Sequence, residues 1–263
     1  MLSKDWNELY EKIALDLGLQ KSSDERATDI MQGLMERRQE IKPERLGLIL
    51  GGKIVFVFGA GPSLRYDTEA FSAMGVEKIN DVAVVAADGA TECLMGYGIM
   101  PDVVVTDLDG NVRYIEAASR EGALLLVHAH GDNVHLLREY VTKFEGEVLA
   151  TTQVSERRLV HNFGGFTDGD RAAIISARFG AKSLVLAGMD FGDTVGRYSK
   201  PYLTEEVKAD ERKMKKLRWG KKLLELLAED YSGKIALYNA TSKGEELRGY
   251  RKVQFHELKG GLI

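Results

Sequence analysis

Residues 86–110 read AADGATECLMGYGIMPDVVVTDLDG. Two apolar runs, one ending at Asp88 and the other at Asp107, are separated by a stretch with helical spacing, and Asp109 follows one leucine later. Runs that are apolar throughout, instead of alternating, fit strands buried on both faces, and a helix-like interval between two of them makes a βαβ unit. The same rhythm continues outward through KIVFVF, ALLLVHAH, EVLATTQ, SLVLAGMD, IALYNAT and KVQFHEL. This pattern predicts an α/β domain over residues 49–263: a Rossmann-like, mainly parallel sheet with helices on both faces. Residues 1–48 read instead as a helical N-terminal segment. Trp6, Leu9, Tyr10, Ile13 and Leu17 recur at helical spacing, Ser23 is the expected cap of a second helix, and Pro43 closes the segment.

Composition narrows the function classes. A chain of 263 residues can bury a full core, and 36 basic against 40 acidic residues give a net charge of −4, with no basic excess to attract a polyanion. The lone Cys93 excludes an internal disulfide and a cysteine-based zinc cluster, which suits a reducing cytoplasm. Apolar runs are strand-sized, too short to span a membrane, and the charged start MLSKDWNELYEKI lacks the apolar core of a signal peptide. The expected partners are small molecules, with no nucleic acid and no membrane. A homodimer is compatible with the sequence, which does not set the subunit count.

In open parallel sheets, ligands bind beyond the carboxyl ends of the strands. Asp88, Asp107 and Asp109, then His128, His130 and Asp132, and finally Asp190 all fall at such ends and would crowd one rim. Each aspartate taken singly also suits a turn or cap, because its side chain bonds nearby backbone amides. Like charges held close are unfavourable unless a cation neutralises them, and oxygen ligands without thiols suit Mg²⁺ completed by substrate phosphates. If the chain stays extended, Asp107 and Asp109 point the same way. KIVFVF runs into GAGPSL, placing Gly59 and Gly61 in the first βα turn, where backbone amides and a helix N-terminus favour phosphate. Leu64 replaces the third glycine of the dinucleotide fingerprint and no Gly-Lys-Ser/Thr follows, so neither that signature nor a Walker loop is met.

The opening stretch resembles the ADGG…PD…GDFDS region of thiamin pyrophosphokinases, and FTDGDRAAIISARFGAKSLVLAGMDFG is similar to their Thr-Asp element. GAGPSL, TDLDG, HAHGDN and GFTDGDRA together resemble more closely the archaeal 6-hydroxymethyl-7,8-dihydropterin pyrophosphokinases, over most of residues 53–195. Ala90, Thr106 and Gly110 depart from the thiamin pattern, which argues against thiamin as acceptor. The resemblance implies Mg²⁺-dependent transfer of a pyrophosphoryl group from ATP to the hydroxymethyl group of a pterin, releasing AMP, in folate or methanopterin synthesis. It implies Asp88, Asp107 and Asp109 as metal ligands, and Asp168 as a further catalytic candidate that could equally be the N-cap of its helix. Gly59, Gly61, Ser63 and Gly89 would line the phosphates. Arg171 would reach a phosphate oxygen or else lie on a solvated helix face.

In HAHGDN, His128 and His130 share a face if both are in the strand. One could bond a phosphate, while Asp132 or Asn133 could read the amino and keto edge of a pterin; the plainer role is two satisfied histidines and a turn. KADERKMKKLRWGKKLLELLAED reads as an amphipathic surface helix. Two rival readings remain: another small alcohol such as thiamin as acceptor, and a nucleotide-sugar glycosyltransferase using Asp107 and Asp109 as its metal site. A non-catalytic nucleotide-binding module would place Asp88 on a ribose.

Overall fold

The computed structural model describes residues 6–76 and 79–261. The chain opens with helices α1 (Trp6–Leu17), α2 (Lys21–Met35) and α3 (Glu44–Leu50). It then alternates: β1 (Ile54–Phe58), α4 (Leu64–Met74), β2 (Val82–Ala87), α5 (Ala90–Gly96), β3 (Val103–Thr106), α6 (Val112–Arg120), β4 (Leu124–Ala129), α7 (Val134–Tyr140) and β5 (Val148–Thr152). After the short β6 (Val160–His161) come α8 (Asp168–Arg178), β7 (Ser183–Ala187), and a hairpin of β8 (Thr194–Val195) and β9 (Val207–Lys208). The chain finishes with the long α9 (Glu211–Asp230), β10 (Ala236–Asn239), β11 (Arg251–Lys252) and α10 (Phe255–Gly261).

The sheet has nine strands in the order β11-β10-β7-β1-β2-β3-β4-β5-β6, every pair parallel. Alternate residues of each strand feed different cores. Ile54, Phe56 and Phe58 join the side covered by α2, α4, α5, α6 and α7, whereas Val55 and Val57 join the side covered by α1, α3, α8 and α9. Phe71 of α4 packs its ring 4.7 Å from Phe56 and 5.3 Å from Phe58, a contact whose truncation to alanine typically costs about 3–5 kcal/mol.

The expected α/β sheet is therefore present, with three local differences. KVQFHEL divides: Arg251–Lys252 form the edge strand, and Phe255 starts α10, where its ring meets Phe71 at 6.4 Å. Helix α2 begins before Ser23, at Lys21 with Gln20 as N-cap, so Ser23 lies inside the first turn. Pro43 caps α3 instead of closing the helical segment, because its fixed φ suits a helix start. Helices α1 and α2 bury Trp6, Tyr10 and Ile13 on one side of the sheet and Ala27, Met31 and Met35 on the other. Among the described residues, no helix is long and apolar enough to cross a membrane.

Candidate active site

From β1 the chain moves outward through β2, β3, β4, β5 and β6, then returns to lay β7 on the other side of β1. Loops leaving the carboxyl ends of β1 and β7 must diverge there, which opens a crevice. That crevice is lined by Gly59–Pro62, Asp88, Gly89, Asp107, Asp109, the start of α8, Gly188–Phe191, and Lys200, Lys213 and Lys216.

The acidic wall forms at the ends of β2 and β3. Asp88 is buried, with its main-chain amide bonded to Val105 O at 2.8 Å and its carboxylate accepting the Thr106 hydroxyl at 2.5 Å. The chain is not extended beyond β3: Leu108 has φ 68°, and the Asp109 amide donates to Asp107 Oδ1 at 3.2 Å. Asp107 and Asp109 thus converge through a left-handed turn, not through strand alternation. Asp88 itself has φ 44°, a conformation that L-residues adopt at a cost and that collects at functional sites. Gly110 is needed beside it, since a Cβ there would collide with the Asp88 carboxylate. One oxygen each from Asp88, Asp107 and Asp109 lies within 4.8 Å of the others.

Burial and the charges of Asp107 and Asp109 push the Asp88 carboxyl well above the usual carboxylate range. Burial and Asp107 raise Asp109 likewise. Asp107 stays low: burial opposes its charge, but the His130 hydrogen bond and Lys200 outweigh it. A cluster of this kind favours a cation, and an all-oxygen donor set fits a hard one.

The glycine turn behaves differently from the expectation. The amides of Gly59 and Gly61 are committed to Ala187 O and Gly188 O, both at 2.9 Å. Ser63 is buried, its amide 3.1 Å from Asp190 Oδ2 and its hydroxyl 2.5 Å from Asp190 Oδ1. The protein's own Asp190 carboxylate therefore takes the place at the head of α4 where phosphate was expected, and Ser63 is not part of the crevice wall. Gly59 and Gly61 contribute space, since a Cβ at Gly59 would meet Met189 Sδ at 2.7 Å and Gly188 O at 2.8 Å. Gly89 does the same beneath the Tyr198 carbonyl.

Behind the acidic wall stands a buried polar brace. His130 lies just past β4, not within it, yet its ring is 6.0 Å from that of His128. Its Nδ1 accepts the Asp132 amide at 3.2 Å, so Nε2 carries the proton toward Asp107 Oδ2, also at 3.2 Å. Asn133 is spent on structure, donating to Asp107 O at 2.8 Å and His128 O at 2.7 Å while accepting from the His130 amide. Both of its N–H donors are taken by the protein. Asp132 is exposed and faces Arg212 at 3.6 Å.

Arg171 is not on a solvated face. It is 2% exposed, with Nη1 3.2 Å from Asp168 Oδ1 and Nη2 donating to His128 Nε2 at 3.0 Å. His128 is thereby an acceptor at Nε2, and burial with the Arg171 charge holds its pKa well below the ordinary value. Helix α8 takes Thr167 as N-cap, with Asp170 accepting the Thr167 amide at 2.9 Å and its hydroxyl at 2.5 Å. Asp168 is thus not the cap, and its carboxylate borders the crevice. Burial, then Asp107 and Asp88, raise its pKa well above the usual range.

The basic wall was missed in the sequence. Lys200, on the hairpin loop, pairs with Asp109. Lys213 and Lys216 project from the first half of α9, which is not simply a surface helix. Gly220 on the same helix has Asp170 and Phe191 within 3.4 Å of where a Cβ would stand, which lets α9 close on the head of α8. Burial and repulsion from Lys200 and Lys216 lower the Lys213 pKa, against the opposing pull of Asp109 and Asp168. The i, i+3 spacing of Lys213 and Lys216 beside Leu217 was the available signal.

Residues 32–196 match the family described as 6-hydroxymethylpterin diphosphokinase MptE-like. A protein of Pyrococcus furiosus named 6-hydroxymethyl-7,8-dihydropterin pyrophosphokinase is 45% identical over 88% of this chain and 96% of its own length. Proteins with the same name from Methanocaldococcus jannaschii and Methanothermobacter thermautotrophicus are 37% and 39% identical, over 86% and 84% of this chain and 95% and 93% of their own lengths. The chain belongs to the MptE-like family of 6-hydroxymethylpterin diphosphokinases and is an enzyme that transfers diphosphate groups.

Proposed function

We propose that the protein transfers the β,γ-diphosphate of ATP to the hydroxymethyl group of 6-hydroxymethyl-7,8-dihydropterin, with Mg²⁺ held by Asp88, Asp107 and Asp109. The observation that carries this reading is the placement of a three-carboxylate cluster opposite lysines across one crevice, in a chain of this family. The acceptor hydroxyl attacks the β-phosphorus, the bond from that phosphorus to the α,β-bridging oxygen breaks, and AMP leaves while the hydroxyl proton passes to solvent. When bound, the metal would spread the triphosphate charge and hold it for in-line attack.

The protein's own groups divide the remaining work. Lys213 and Lys216 bind phosphate oxygens as point charges, and Lys200, released from Asp109 when a cation binds there, follows them. His130 fixes the Asp107 carboxylate and Asn133 its main-chain carbonyl at the edge of the crevice, and Arg171 fixes Asp168. Gly59, Gly61 and Gly89 let the loops of β7 and the hairpin close against the first two βα turns and so shape the crevice. Loose phosphoryl transition states need little from a general base, and none is assigned.

The reading is tested by incubating the protein with ATP, Mg²⁺ and the dihydropterin alcohol and following ³¹P NMR. AMP and a pterin diphosphate should appear together and only with the alcohol present. ADP as product, or AMP formed equally with thiamin, would sink it. This chemistry suits a place in folate or methanopterin synthesis within the cytoplasm.

A further inference from the structure

Resting on that reaction, we infer that the acceptor ring enters from the opposite side of the acidic wall, into a second pocket roofed by the bend between α1 and α2. This pocket is bounded by Ser23 and Asp24, the ends of β4 and β5, and the start of α8, and it shares Asp107, Phe166, Asp168 and Lys216 with the nucleotide crevice. Two substrates that meet at one phosphorus in line must approach from opposite sides. The shared wall is where they would meet.

The pocket is built, not incidental. Asp24 is 5% exposed, Gln153 4% and Arg171 2%. The Asp24 carboxylate accepts the Gly131 amide and Gln153 Nε2, both at 2.7 Å, together with the Tyr10 hydroxyl. These bonds tie α1, α2, the β4 loop and the β5 end to one fixed anion. A carboxylate has room for about four donors, so one place remains. Arg171, in the same wall, keeps a buried Nε–H without a partner. An unpaired buried donor is costly, and one in the same pocket lining as an incompletely filled carboxylate suits a flat heteroaromatic ring carrying both amide-like acceptors and amino donors. Phe166 supplies an apolar face for such a ring.

The N-terminal helices thereby become part of the acceptor site, and the site can be tested apart from the chemistry. The probe is 6-hydroxymethylpterin, titrated by its own fluorescence against the full chain without ATP or metal. Ser23 is exposed in the first turn of α2 and borders the pocket, so Ser23→Trp should fill its mouth. Gln153→Leu removes a polar group from its floor. Both variants should weaken pterin affinity by about tenfold or more while nucleotide affinity stays within about twofold of wild type. Pterin affinity equal to wild type in both variants overturns the assignment. So does a loss found instead with Tyr140→Ala, in the shallower groove beyond Asp109. If the wild-type chain binds pterin through this pocket and yet forms no AMP, the proposed reaction fails and the pocket stands.

Discussion

The two walls of the crevice are built in opposite ways. The acidic wall comes from residues 88–109, the ends of two adjacent strands, with carboxylates held by hydrogen bonds from Thr106, His130 and the Asp109 amide. The basic wall comes from residues 200–216, a hairpin loop and a helix face, and its lysines have few fixed partners: Lys200 borrows Asp109, and Lys213 reaches Ser199 Oγ at 3.3 Å. A metal ion needs ligands at fixed distances, which strand ends provide; a phosphate chain needs charge that can follow it, which long side chains provide. The glycine turn between the walls is already neutralised by Asp190. Net positive charge for the substrate must therefore come from the lysines.

The sharpest way to break this contrast is to remove one carboxylate. Asp109→Asn should lower turnover by about 10³-fold, the scale seen when a main electrostatic stabiliser of a transition state is lost. Asp88→Asn should do the same and also raise the melting temperature of the metal-free protein, by roughly 2–4 °C for each kcal/mol of repulsion relieved. Mg²⁺ added with nucleotide should raise the melting temperature of wild type and not that of either variant. An unchanged rate in Asp109→Asn would end the metal assignment.

Cutting the other wall should give a smaller and different effect. Lys213→Met and Lys216→Met should each raise the KM for ATP by about 10-fold, the worth of one charge-assisted hydrogen bond. A series varying ATP at saturating pterin checks this, and pterin affinity, read by direct titration, should stay unchanged in Lys213→Met. Gly110→Ala tests geometry alone. Its new methyl group must push the Asp88 carboxylate aside, so kcat should fall by about 10-fold with ATP affinity nearly intact, consistent with an overpacking cost of about 1–3 kcal/mol.

The smallest effect concerns a carboxylate with no place in the chemistry. Asp67, 1% exposed under the glycine turn, accepts the Gly188 amide at 2.8 Å and the Ser242 amide at 3.0 Å. Burial pushes its pKa up, from 3.8 to about 6. Because the folded state holds this proton more tightly than the unfolded chain, the stability it contributes is fully present below pH 3.8 and is lost as pH rises through about 6. Linkage puts the difference at about 3 kcal/mol. Asp67→Asn should flatten the stability curve across that window, measured by urea unfolding at successive pH values.

Much of this was legible before the coordinates. The apolar runs located seven of the strands because strands buried on both faces carry no polar alternation, and the rim aspartates stood out as charges at the ends of such runs. Three side chains turn toward protein partners that the sequence did not reveal, for one shared reason. Ser63, Asn133 and Arg171 are polar groups beside a ligand cleft, and sequence cannot tell a group facing a ligand from one facing a neighbouring loop. In the fold each has found a protein partner: Asp190, the carbonyls of Asp107 and His128, and Asp168 with His128.

Residue periodicity, read locally, determined the α/β sheet, the order of its strands in the chain, and the acidic residues that end them, since all of these depend on neighbours within one βαβ unit. Only the tertiary structure decided that β7 returns beside β1, that α9 brings its lysines across from the aspartates, and that the α1–α2 bend closes over Asp107 from behind. Those arrangements join residues more than eighty positions apart, and what fixes them is the packing of whole helices on the two faces of the sheet, a quantity with no signature in any short window of sequence.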